Sequence, residues 1–213
     1  MTQVETASAR GRGRPRSDAP IGVDVLVLDA ATDEFLGHGY AGASISRIVR
    51  TARISTKTIY VRYANKEELF MAVVGRLLEP TRMQFATLFE DHGDDVRGAL
   101  LAVSLRTARH WTSELELSLY SLVISERVRF PELVQIYDAS IEPVSDLTAA
   151  FLDRPETRAV LDVRDLRAAI GDLFALTTSA LRDDALLGRT VTSEEIDGRV
   201  GKGVDAFMTL YGR

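Results

Sequence analysis

A chain of 213 residues can bury a substantial core as one large domain or two small ones, and its composition is that of an ordinary soluble protein. Cysteine is absent, which excludes disulfides, thiol catalysis and cysteine-ligated metals. No apolar run approaches the roughly 18 residues of a membrane span, and the arginine-rich start lacks the apolar core of a signal peptide, so a cytoplasmic location is expected. The net charge of −5 divides unevenly: residues 1–66 carry ten Lys+Arg and six Asp+Glu, a balance of +4, whereas residues 67–213 carry sixteen and twenty-five, a balance of −9. A cationic front on an acidic rear suits a protein that meets DNA with one end, because repulsion of the rear orients the encounter.

Residues 1–17 are polar and are expected to be a disordered basic arm. Within them the Arg12-Gly13-Arg14-Pro15 core of Arg10–Arg16 resembles an AT-hook, a segment slim enough for arginines to reach the enhanced negative potential of a narrow minor groove. Arg12, Arg14 and Arg16 are therefore candidate DNA contacts, with a solvated tail as the alternative. Asp18 and Pro20 mark the start of a helix over about residues 19–37, with Ile21, Val25, Leu28, Thr32 and Phe35 on its apolar stripe and Gly37 and Gly39 ending it. This helix is expected to brace its neighbours.

Next, Ser44 can cap a short helix whose apolar residues Ile45, Ile48, Val49 and Ala52 share one face. It stops near Arg53-Ile54, and Ser55 can cap a second helix with Ile59 and Tyr63 turned to the first. Thr56, Lys57, Thr58, Tyr60, Val61 and Arg62 are left to its other surfaces. Asn65 then caps a third helix, with Glu68 as its capping-box partner. Two short helices around a tight turn, the second with a polar and cationic outer face, form a helix-turn-helix suited to the major groove.

Over Tyr40–Leu69 this stretch resembles the DNA-binding signature of the TetR family of one-component transcriptional regulators. The resemblance is carried by Phe35, Gly39-Tyr40, Ser44-Ile45, Ile48, Ala52, Ile54-Ser55, Thr58-Ile59-Tyr60, Tyr63 and Lys66-Glu67-Glu68-Leu69. Two positions depart from the pattern: Arg53 stands where glycine is usual in the turn, and Lys57 where a small residue is common. A left-handed conformation at Arg53 would cost roughly 1 kcal/mol. A regulator of this kind would meet base edges with Thr56, Lys57 and Val61, with Thr58 on the same candidate face. Ser44, Arg47, Tyr60, Arg62 and Lys66 would hold phosphates, Lys66 aided by the N–H groups at its helix start.

The third helix places Leu69, Phe70, Val73, Val74, Leu77 and Leu78 on a broad face before Pro80 interrupts it, which predicts a link between a DNA-binding domain (18–66) and a helical body (67–213). After a break around Asp91–Asp95 come helical segments at 95–111, 114–128, Pro131 to about Leu152 with a kink at Pro143, 163–187, and 193–211 capped at Thr192 or Ser193. No strand-like alternation competes, so the expected fold is all-α: an N-terminal three-helix helix-turn-helix domain followed by a C-terminal helical ligand-binding and dimerisation domain.

Small residues in the last pair (Ala168, Ala169, Gly171, Ala175, Ser179 and Ala180, then Gly198, Gly201 and Gly203) would let helices approach closely, either inside one chain or across a two-fold axis. The resemblance implies the second: a homodimer through residues 163–211, matched to a palindromic operator in double-stranded DNA. Arg106, His110, Trp111, Tyr120, Phe130 and Tyr137 are the candidate walls and polar handles of a pocket for a small-molecule effector of unknown identity; Arg106 or His110 would suit an anion.

No metal site, cofactor or catalytic set is expected. His38, His92 and His110 lack ligand spacing. The pairs Asp94-Asp95, Asp183-Asp184 and Glu194-Glu195 sit at turns and helix starts, where acids satisfy backbone donors. Gly198, Gly201, Lys202 and Gly203 lack the strand and the Ser/Thr of a phosphate loop. The leading expectation is a ligand-responsive repressor, and the alternative is a helical small-molecule-binding protein or enzyme with an accessory DNA-binding head.

Overall fold

The computed structural model describes residues 21–83, 89 and 93–213. The basic arm with Arg12, Arg14 and Arg16, the start of the first helix at Asp18–Pro20, and His92 lie outside the described residues. The architecture is all-helical, with a single isolated antiparallel bridge between Leu161 and Gly212 among the described residues. No described helix is long and apolar enough to cross a membrane.

Helix α1 (Ile21–Gly42) buries Val27, Ala30, Ala31 and Phe35, whereas Val25 is exposed. The expected stripe is therefore rotated: the small Ala30 and Ala31 face inward, which lets α2 (Ile45–Ala52) and α4 (Lys66–Met83) lie close. Helical geometry breaks at Gly39 (φ 64°, ψ 177°), a conformation open to glycine, and one further turn runs on to Gly42. Arg53 caps α2 in the left-handed region (φ 54°, ψ 42°), a conformation that glycine would take without steric cost. The recognition helix α3 (Thr56–Arg62) starts at Ser55, whose hydroxyl accepts from the Thr58 N–H at 3.1 Å. At the start of α4, Asn65 Oδ1 accepts from the Glu68 N–H at 2.8 Å, while Glu68 Oε2 reaches back to the Ala64 N–H, one residue beyond the expected capping box. Helix α4 continues through Pro80 rather than stopping there.

In the body, Asp95 caps α5 (Val96–Trp111) and Ser113 caps α6 (Glu114–Glu126). Helix α7 (Glu132–Leu152) carries Pro143 in its interior. A short α8 (Pro155–Val160), absent from the sequence reading, follows with its proline in the first turn. The single helix expected over 163–187 is three pieces: α9 (Leu166–Phe174), a π-helical turn (Ala175–Ser179) and α10 (Ala180–Leu186). Thr177 and Thr178 donate their hydroxyls to the Leu173 and Phe174 carbonyls at 2.7 Å, competing with the regular ladder where it widens. Helix α11 (Ser193–Tyr211) begins with a complete Thr192–Glu195 capping box.

Gly203 on α11 faces the π-helical turn so closely that a Cβ there would lie 2.4 Å from the Leu176 carbonyl oxygen. This glycine therefore serves packing within the chain, whereas a Cβ at Gly171, Gly198 or Gly201 would meet nothing within 4 Å. One apolar core joins α5 and α7 with α9, α10 and α11. The other runs from α1–α4 into α6 and α7, without a seam between head and body.

Candidate nucleic-acid interface

Helix α3 is held from beneath by Ile59, which is fully buried, and by half-buried Tyr63. Its outward edge presents Thr56, Lys57, Tyr60 and Val61, all exposed. Thr58 is half-buried, and its hydroxyl shares a 2.8 Å hydrogen bond with Ser55, so its first role is to complete the cap.

Ser44 stands at the start of α2, but its side chain makes no capping bond. The capping group is Glu34 of α1, which is 9 % exposed: its carboxylate accepts from the Ser44 N–H at 2.8 Å and from Arg47 Nε at 2.8 Å. An acid at this helix start is favoured by the dipole, and the Arg47 hydrogen bond holds Glu34 below the ordinary glutamate value. Arg47 also donates to the Gly42 carbonyl at 2.5 Å.

Two further expected phosphate ligands are engaged within the chain. Arg62 turns inward and pairs with Asp24, bracing α3 on α1. Lys66 donates to the Ala43 carbonyl at 2.5 Å and lies 4.7 Å from the Tyr40 ring centroid. Burial and then the nearby Arg129 cation pull its ammonium below the ordinary lysine range. Sequence spacing cannot show this, because Asp24 and Ala43 are distant along the chain. The structure instead exposes two arginines that the sequence reading did not assign to DNA, Arg50 on α2 and Arg53 in the turn, neither in an ion pair among the described residues. Their signal was available: cations at the polar end of α2, beside the recognition helix.

Head meets body at Tyr40. Its N–H donates to Glu126 Oε1 at 2.9 Å, and Arg129 lies 4.6 Å from its ring centroid. Phe130 packs edge-on against the same ring at 4.7 Å and against Phe70. Phe130 therefore belongs to this junction and not to a ligand chamber. Arg106 is exposed on α5.

The remaining four do converge, around two residues that the sequence reading missed. Tyr137 donates its hydroxyl to Glu116 at 2.7 Å, and His110 lies 3.5 Å from the same carboxylate. The Arg182 guanidinium lies over Trp111 at 4.9 Å and Tyr120 at 4.5 Å. Burial raises the Glu116 carboxyl against the opposing pull of the Tyr137 hydrogen bond, and burial with the Glu116 charge pushes Tyr137 up. The result is a polar cluster set inside the apolar body.

A helix-turn-helix head on an all-helical body is the architecture of a one-component transcriptional regulator. Residues 27–73 match the model of bacterial regulatory proteins of the tetR family, and residues 98–213 match the C-terminal domain of AefR-like transcriptional repressors. The chain belongs to the TetR family. Over 79 residues, 37% of this chain and 39% of the other, it is 38% identical to the HTH-type transcriptional repressor SCO4008 of Streptomyces coelicolor. Such matches take in about two-fifths of the curated relatives' length. The fold is shared with a TetR-family regulator of Mesorhizobium loti (TM-score 0.78, 23% identity, 90% of this chain and 98% of that one). It is shared also with the flavonoid-responsive regulator FrrA (TM-score 0.73, 22% identity, 91% and 98%).

Proposed function

We propose that the protein is a repressor that binds a palindromic operator as a homodimer and is released by a small molecule. The observation that carries this reading is the exposed edge of α3, with Thr56, Lys57, Tyr60 and Val61 outward on a helix fixed by buried Ile59. Thr56, Lys57 and Val61 read base edges, while Tyr60, Arg50 and Arg53 lie against phosphates. Ser44, Arg47, Arg62 and Lys66 hold the head in shape. The arm over residues 1–17 adds minor-groove affinity through Arg12, Arg14 and Arg16.

Dimerisation through 163–211 is supported by the exposed small and apolar positions Gly171, Ala175, Leu176 and Ala180, and by Ala206 and Leu210 on α11. Two copies would set their recognition helices about 34–36 Å apart, one turn of DNA. An effector bound in the body would release the operator by favouring a state with a different spacing, to the extent that it binds that state more tightly.

Fragments of the source genome selected by the purified protein should share a palindrome, and affinity for it should fall steeply as salt rises. Lys57→Ala should cost roughly 1–3 kcal/mol of discrimination between that palindrome and a scrambled site. Equal binding of both sites by the wild type, or unchanged discrimination in the variant, would remove the assignment.

A further inference from the structure

We propose that Lys57 and Val61 of α3 read a guanine and a thymine methyl, one or two base pairs apart, in each half of the operator. The inference rests on the repressor reading and adds which base edges are recognised. Successive helical residues turn by about 100°, so Lys57 and Val61 stand about 40° apart and straddle the direction opposite fully buried Ile59. They therefore form the outermost line of the helix. Thr56 and Tyr60 lie to one side of that line. Half-buried Thr58 and Arg62 lie to the other, where Arg62 meets Asp24 of α1.

The two side chains differ in what they can recognise. Val61 is 61 % exposed, and its isopropyl group offers the major groove only an apolar contact. On base edges there, the thymine C5 methyl is the one apolar group. Half-buried Val23 of α1 lines the same open hollow as Lys57 and Val61 and extends its apolar surface. Lys57 is exposed and makes no ion pair among the described residues, whereas Arg62 in that hollow is held by Asp24. A lysine has donors and no acceptor, so its match on a base edge is guanine, with the paired acceptors O6 and N7. Adenine and cytosine each present a donor there, which a lysine cannot use. Four positions along a helix span about 6 Å and one base-pair step about 3.4 Å, which sets the spacing of the two bases.

The probe is the palindrome that the full-length protein selects from genomic fragments, altered identically in both halves. Deoxyuridine in place of one thymine removes only the methyl, and 7-deazaguanine in place of one guanine removes only the N7 acceptor. In a position-by-position scan read by fluorescence anisotropy, deoxyuridine at one thymine should weaken binding about three- to fivefold per half-site. At a guanine one or two base pairs away, 7-deazaguanine should weaken it about three- to tenfold. Val61→Ala should bind the thymine and deoxyuridine probes alike yet still distinguish the two guanines, and Lys57→Ala should do the reverse. Both side chains are exposed, so both variants should keep the wild-type thermal midpoint. Deoxyuridine tolerated at every thymine, or a Val61→Ala protein still sensitive to the methyl, overturns the proposal. So does a Lys57→Ala protein that binds every probe more weakly by one factor, because the lysine then sits on a phosphate. Those outcomes are read on a palindrome that the wild type binds; a protein that selects no common sequence defeats the repressor reading, and this proposal with it.

Discussion

Arg53 occupies a conformation, φ 54° and ψ 42°, that glycine would adopt at no steric cost. Relief of roughly 1–2 kcal/mol in Arg53→Gly would be largely offset by the greater freedom of glycine in the unfolded chain, about 0.5–1 kcal/mol. The melting temperature should therefore change by only a few degrees. Affinity for all DNA sequences should fall, and the slope of log affinity against log salt should lessen by about one. A strongly stabilised variant with unchanged salt slope would show that the arginine is merely tolerated. Two buried acids make opposite predictions. Glu34 is held below 4.5 by Arg47, so its stabilisation is present above that pH and is lost as pH falls through the lowered value. Glu34→Gln should melt earlier than wild type at pH 7, with the gap closing in acid. Glu116 is raised above 4.5 by burial, so its contribution is complete below 4.5 and is lost as pH rises through the raised value. Glu116→Gln keeps an acceptor for the Tyr137 hydroxyl and should melt later than wild type at pH 8, the two converging near pH 4. Thermal melts across pH in which either difference runs the other way would reject the corresponding assignment.

At the scale of elements, what could be read from the sequence was whatever depends on near neighbours. The caps at Ser55, Asn65 and Thr192 are local hydrogen bonds, the first two where the residue pattern places them and the third at one of the two positions it allows. The head helices and the exposed edge of α3 follow from spacing in the same way. The π-helical turn could not be read, because it depends on a close approach between Leu176 and Gly203, 27 positions apart in the chain. The inward turn of Arg62 depends likewise on Asp24 of another helix. Two of the six expected ligand-pocket residues lie outside the cluster the others form, one of them for a related reason: aromatic composition does not tell a junction residue such as Phe130 from a chamber residue such as Tyr137. Gly203→Ala should lower stability by roughly 1–3 kcal/mol, the usual cost of forcing extra volume into a packed contact. Gly201→Ala, in open space, should be neutral or mildly stabilising. Denaturant midpoints of the two variants separate these outcomes, and equal effects would show that α11 does not need the close contact.

Across the whole molecule, one contiguous core threads from the DNA-reading helices into the body, and Tyr40 lies where the two meet. Loss of the Glu126 carboxylate in Glu126→Ala frees the Tyr40 N–H and should leave the head less firmly set. Operator affinity should drop several-fold while the spectrum of the folded body is unchanged; wild-type affinity in this variant would mean that ring packing alone fixes the head.

The same shared core bears on modularity. A fragment severed after α4 would strip Phe130 from Tyr40 and Phe70 and leave those two rings facing water. Such an excised reader would be sticky and poorly ordered. A chimera that grafts it onto a foreign sensor would have to carry the corner between α6 and α7 along with it.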